Sequence, residues 1–282
     1  MQNIREKLAW GLLATLGLFV VASLTGVVSG GPLDPPGPPG STDGVRVPGT
    51  PISSLPFPIT QPGYYYVTRD LTAPAGQPGI TIASDDVTVD LGGFTLRPGD
   101  SPTGYIGVLV FQVPGPRRAR NIEVRNGGLV GWNSGINADN AEYSKIHDVR
   151  VLGSWGTGIS MLLSYDVRLW NCEVSLGASS GIRITDGAIR NCTVTDNALE
   201  GIRADGRSLV ENNEVHGNDT YGIIIADDNG VVRGNSFSGS PTDIVVASSA
   251  DGVTLQGNVY CTLSVGTGLG LTLIDNVDRS TC

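Results

Sequence analysis

A glycine followed by an aliphatic residue returns at near-constant spacing through the chain. It occurs at Gly135-Ile136, Gly158-Ile159, Gly181-Ile182, Gly201-Ile202 and Gly222-Ile223. Asp243-Ile244 continues the series and Gly270-Leu271 ends it, with steps of 23, 23, 20, 21, 21 and 27 residues. Gly79-Ile80 and Gly107-Val108 read as earlier members separated by longer insertions. A second element keeps the same period in a different phase. It reads apolar-x-Asn-x-x-apolar, as in Leu169-x-Asn171-Cys172-x-Val174 and Ile189-x-Asn191-Cys192-x-Val194, and again around Asn212-Asn213, Asn235 and Asn258. Self-similarity at a fixed period of this length is the signature of a solenoid.

The period dictates the geometry. A coil of about 22 residues holds three short strands and their turns, and each strand pairs with its equivalent one coil away, about 4.8 Å along the axis. Equivalent residues then stack in columns. Two aliphatic columns are expected inside: Val124, Ile146, Leu169, Ile189, Val210, Val232, Leu255; and Leu129, Val151, Val174, Val194, Val215, Phe237, Tyr260. No single coil buries such a face alone, but about eight stacked coils do. Asn213, Asn235 and Asn258 share one turn position, where their amides can form a hydrogen-bonded ladder. Cys172 and Cys192 occupy that position in earlier coils and are read as free thiols in the wall.

Composition agrees with an all-β chain. Forty of the 282 residues are glycine and 16% are charged, which alone would suit disorder, but 40% hydrophobic residues supply a core. The formal net charge of −9 lacks the basic footprint that nucleic-acid phosphates select, so no nucleic-acid partner is expected.

The chain divides into three parts. Residues 1–30 read as a secretory signal: Arg5 and Lys7 form a basic start, Leu8 to Val21 an apolar run, and Ser29-Gly30 a small-residue cleavage region. Retention as a membrane anchor is the competing reading. After cleavage no stable membrane span is expected, and the protein is secreted, extracellular or in the cell envelope. Residues 31–56, with eight prolines, read as an extended linker. Residues 57–282 are the solenoid, with Phe57 to Leu71 as an N-terminal cap. At the other end, a disulfide between Cys261 and Cys282 is expected to pin the tail over the open coil, contributing roughly 3 kcal/mol.

The segment from Gly79-Ile80-Thr81-Ile82 through Val87-Thr88-Val89-Asp90-Leu91-Gly92-Gly93-Phe94-Thr95-Leu96, with the Asn-Cys-x-Val and Gly-Ile repeats, resembles the right-handed parallel β-helix proteins of the pectate-lyase-like superfamily. The repeats look like its carbohydrate-binding and sugar-hydrolase subset. The resemblance covers about residues 57–275. It implies a right-handed, single-stranded parallel β-helix and a polysaccharide partner. Oligomeric state is not readable. The same superfamily includes surface proteins without catalysis, so a non-catalytic scaffold or adhesion role is the alternative.

The residues able to carry chemistry stand in the outward columns. A hydrolase needs two carboxylates flanking the bond. Asp227-Asp228 is the one adjacent Asp pair in the regular coils, but it falls at a turn. A lyase would need carboxylates for Ca²⁺ and an Arg or Lys base. One outward column runs Asp90, Arg125, His147, Trp170, Arg190, Glu211, Arg233, Gln256, flanked by Glu123, Lys145 and Arg168. Arg168, Arg190 and His147 are therefore the catalytic candidates. Lys145, Trp170 and Arg125 are ligand-binding candidates, since cations beside an aromatic platform suit an acidic polysaccharide. The competing reading is a solvated face of charge pairs. Trp132 and Trp155, one coil apart, either form a sugar platform or pack against the insertion at 97–118. Arg183 and Arg203 stack outward as like charges, with Glu200 and Asp205 as counter-ions. His147 and His216 lack partners at metal-ligand spacing, so no metal site is expected.

Overall fold

The computed structural model describes residues 49–99, 105–111, 118–267 and 270–279. These form a stack of parallel strands on three faces. The first face is built from segments such as Gly63–Val67, Val87–Asp90, Val167–Trp170, Gly187–Arg190 and Leu209–Glu211. A corner leads to the second face, which includes Glu173–Ser175, Thr193–Thr195 and Glu214–His216. The third face is a ten-stranded sheet running from Phe57–Ile59 to Leu263–Val265. Ten coils are thus present where the repeat alone suggested about eight. The additional ones sit at the ends, where the Gly-aliphatic signal is diluted by insertions. Phe57–Ile59 pairs with Ile80–Ile82 as an ordinary coil member. Thr50–Ile52, within the segment read as linker, already pairs with Tyr65–Val67.

Both expected inward columns are buried. Val124, Ile146, Leu169, Ile189, Val210, Val232 and Leu255 have at most 1% exposure, and the parallel column from Leu129 to Tyr260 at most 5%. The recurrent glycines precede the third face because the neighbouring coil leaves no room for a side chain. A Cβ at Gly158 would lie 2.7 Å from the Gly181 carbonyl oxygen and 2.5 Å from Val174 Cγ1.

The corner between the first two faces explains the Asn and Asp positions. Asn126, Asp148, Asn171, Asn191 and Asn212 all take left-handed backbone, φ 51–57°, a region that Asn and Asp tolerate. Ile122–Val130 and Lys145–Leu152 run through this corner as single strands. Just inside it stands the amide ladder. Asn213 Nδ2 donates to Asn235 Oδ1 at 2.9 Å, Asn235 Nδ2 to Asn258 Oδ1 at 3.0 Å, and Asn258 Nδ2 to Asn276 Oδ1 at 3.0 Å. Its first rung is the Cys192 amide, which donates to Asn213 Oδ1. Cys172 and Cys192 are buried free thiols, as expected. The hydrogen bond with Cys192, and then burial, push the Cys172 thiol well up. A second, shorter ladder joins Asn197 to Asn218.

Residues 1–48, including the signal and most of the linker, lie outside the described residues, as does Cys282. Among the described residues, no helix is long and apolar enough to cross a membrane.

Candidate functional site

The outward column of the first face is a chain of paired charges. Asp90 accepts from Tyr64 Oη and Arg125 Nε, both at 3.1 Å. Arg125 also reaches Glu123 at 3.7 Å. His147 bridges two carboxylates, with Nε2 2.8 Å from Glu123 Oε1 and Nδ1 2.7 Å from Asp148 Oδ2. Its ring stacks on Trp170. Further along, Glu211 takes Arg190 Nε at 2.9 Å and Arg233 Nε at 2.6 Å. The expected basic patch is therefore largely neutralised, because the column places its cations opposite carboxylates of a neighbouring coil. Desolvation raises the Glu123 carboxyl, but the His147 hydrogen bond and the charges of Arg125 and Lys145 outweigh it and hold the group low. Asp148 is held low chiefly by its hydrogen bond from His147.

The column beside it ends differently. Lys145 and Arg168 are register partners, but the next residue in that column is Ala188. Shrinking the side chain opens a hollow of about 440 Å³ lined by Asp166, Val167, Arg168, Asp186, Gly187, Ala188, Arg190 and Arg207. Gly187 is needed in its floor, where a Cβ would come within 2.6 Å of Val167 Cγ2. Arg207 follows Gly206, whose φ of 64° turns the corner. Its amide is fixed by Asp186 Oδ1 at 2.9 Å. No carboxylate lies in ion-pair range of the Arg207 side chain among the described residues. Arg168 has one contact, to Asp166 at 3.4 Å.

Thus Arg168 and Arg190 come together, whereas Lys145, Arg125 and His147 belong to preceding coils, and Trp170, two residues after Arg168 on the same strand, does not line the hollow. Sequence reasoning missed Asp186, Arg207 and a pair of tyrosines. Tyr143 and Tyr165 stack edge-to-face with ring centroids 6.2 Å apart and are about half exposed, 50% and 48%. They sit at the corner just before Lys145 and Asp166. The alignment of Asp166-Val167 with Asp186-Gly187 was the available signal for this corner.

Three expectations change. Trp132 is fully buried and its Nε1 donates to the Leu96 carbonyl at 2.9 Å, so it packs in the core beside the insertion and cannot join a surface platform. Trp155 remains exposed, at 58%, but without that partner. Glu200 does not answer Arg183 or Arg203; it accepts from Ser180 Oγ. The Asp227-Asp228 pair serves the corner as expected: Asp227 Oδ2 accepts from the Gly206 amide and Asp228 Oδ1 from the Asp251 amide. Among the described residues, no three His, Cys, Asp or Glu side chains are grouped to hold a metal ion.

No curated protein matches the chain by sequence. Solved structures do match by fold. ORF18 of Geobacillus virus E2 superposes with a TM-score of 0.55 at 11% identity, over 77% of this chain and 53% of that one. The chain therefore spans about half of that protein. The periplasmic alginate epimerase AlgG gives 0.56 at 12% identity, over 78% of this chain and 75% of the other. The enzymatically active domain of tailspike protein 2 from bacteriophage CBA120 gives 0.55 at 13%, over 83% and 48%. At such identities the likeness is one of fold. The family model described as "Right handed beta helix region" matches residues 104–208 and 185–277. The match spans more than half of the chain, whose parallel coils carry the repeat throughout, and the chain belongs to the right-handed β-helix family.

Proposed function

We propose that this protein binds an acidic polysaccharide on its first face, at the hollow between Arg168, Arg190 and Arg207. The observation that carries the reading is Arg207: a guanidinium without an ion-pair partner among the described residues, beside two further arginines and above a floor of Gly187 and Ala188. Guanidinium forks bind carboxylates at two points. The exposed Tyr143–Tyr165 pair offers apolar ring surface next to them, as sugar faces require. That an alginate epimerase and a phage tailspike domain share the fold supports a carbohydrate ligand by analogy.

Binding without turnover fits the arrangement better than lyase or hydrolase chemistry. Asp186 is already committed to the Arg207 amide and Asp166 to Arg168. Secretion through the 1–30 signal, to the outside or the cell envelope, accords with such a ligand. A scaffold role is favoured by a different observation, the coil-to-coil charge pairing of the neighbouring column.

Calorimetric titration with polyuronate oligomers, alongside absorbance of unsaturated products, tests the reading. Saturable binding that is lost in Arg207→Ala and weakened in Arg168→Ala, without product absorbance, supports it. Binding unchanged in both variants overturns the site. Product formation overturns the non-catalytic reading. No binding on a broad glycan panel leaves the scaffold.

A further inference from the structure

The third face carries a separate cationic pair. Arg183 and Arg203 are register partners on the adjacent strands Ile182–Thr185 and Ile202–Asp205. They point outward, between the buried Ile182 and Ile184 on one strand and Ile202 and Ala204 on the other. Like charges directly opposite each other destabilise a sheet. One carboxylate answers them: Asp205 takes Arg203 Nε at 3.1 and 3.4 Å. Asp227, one coil on, is committed to the Gly206 amide. Ser160, the neighbour of Arg183 on the other side, donates its hydroxyl to Asp139 at 2.6 Å. Arg183 itself has no ion pair among the described residues, and its Nε is shut from water without an acceptor. Burial pushes the Asp205 carboxyl up against the pull of Arg203 and Arg183, and Asp227 adds to the rise.

We propose that Arg183 and Arg203 form an oxyanion site that takes one carboxylate group, such as that of a uronate residue. Arg183, Arg203 and Asp205 together carry one net positive charge, which a monoanion matches. Guanidiniums stacked about 4.8 Å apart can share the two oxygens of a single carboxylate. Ser160 on one side and Ile224 on the other bound the site along the column. The proposal does not depend on the first-face hollow.

Titrating the full chain with sodium D-glucuronate, while following arginine Nε–Hε crosspeaks by NMR, reads the two sites separately. The Arg183 and Arg203 crosspeaks shift saturably, and Arg183→Gln abolishes the Arg203 shift. Glucose and sodium chloride at matched concentration leave both crosspeaks in place. An unmoved Arg183 crosspeak in the wild-type chain, or an equal shift with sodium chloride, overturns the site. Movement of Arg207 alone also overturns it, while supporting the hollow.

Discussion

The imidazole of His147 lies flat against the indole of Trp170, with ring centroids 4.2 Å apart and planes 7° from parallel. Glu123 and Asp148 grip the same imidazole by its two nitrogens. Both contacts are hydrogen bonds at once only when both nitrogens carry a proton. The arrangement secures three successive coils on the first face through one side chain.

That clamp gives stability an acid limb. The Glu123 and Asp148 carboxyls titrate lower in the folded chain than in the unfolded one. Below the ordinary carboxylate pKa of about 4, the unfolded chain therefore binds more protons. The stabilisation is present above that value and is lost as pH falls through the lower folded values. Urea unfolding from pH 6 down to about pH 3 should show this loss. His147→Ala should be less stable at pH 6 and should show a shallower decline. An unchanged slope would detach the clamp from the acid limb.

Asn235 sits at the middle of the amide ladder. Its Oδ1 accepts from the Asn213 amide, and its Nδ2 donates to Asn258 Oδ1 and to the Val210 carbonyl. Asn235→Ala leaves several buried groups without partners, each costing about 1–3 kcal/mol. A total loss of roughly 2–4 kcal/mol is expected by urea denaturation. Asn235→Asp should also destabilise, since it places a carboxylate against an acceptor.

Leu176 has φ 57° and is 59% exposed. The same corner position in other coils holds Gly153, Gly217 and Gly239, all left-handed. Left-handed backbone costs an ordinary L-residue about 1–2 kcal/mol. Leu176→Gly should therefore raise stability by about 1 kcal/mol, after the extra chain entropy of glycine is subtracted. A lower melting temperature for the variant would contradict this.

The expected Cys261–Cys282 bridge is checked by intact mass after alkylation without reductant. Two labels, on Cys172 and Cys192 once unfolded, are expected. A labelled Cys282 rules the bridge out.

The sequence showed the columns because a solenoid converts position within the repeat directly into position in space. Val210 and Val232 are inward for the same reason that they are one period apart. The amide ladder was legible too, but the left-handed corner expected at Asn213, Asn235 and Asn258 falls one residue earlier, at Asn212, Gly234 and Gly257. Side-chain reach was not. Arg190 and Glu211 share a column, but whether they meet depends on rotamers, and the basic stripe read from sequence proved to be a set of pairs. Trp132 and Trp155 both fall three residues before a repeating glycine yet differ completely in burial, because in the register from Val130 and Leu152 Trp132 matches the buried Ser154 and Trp155 stands one position further on. Arg207 escaped notice since it lies on a corner outside both repeating patterns. Its exposure follows from the absence of bulk at Gly187 and Ala188, a property of neighbours.

The amide ladder has one more consequence. Asn213, Asn235 and Asn258 each donate an Nδ2 proton to the next coil, and the oxygens of Asn213 to Asn276 all accept from the coil before. The amide dipoles therefore add along the axis instead of cancelling, as peptide dipoles do in an α-helix. The carboxy-terminal half of the solenoid is electrically polar, and a single mid-ladder substitution divides that long dipole into two short ones.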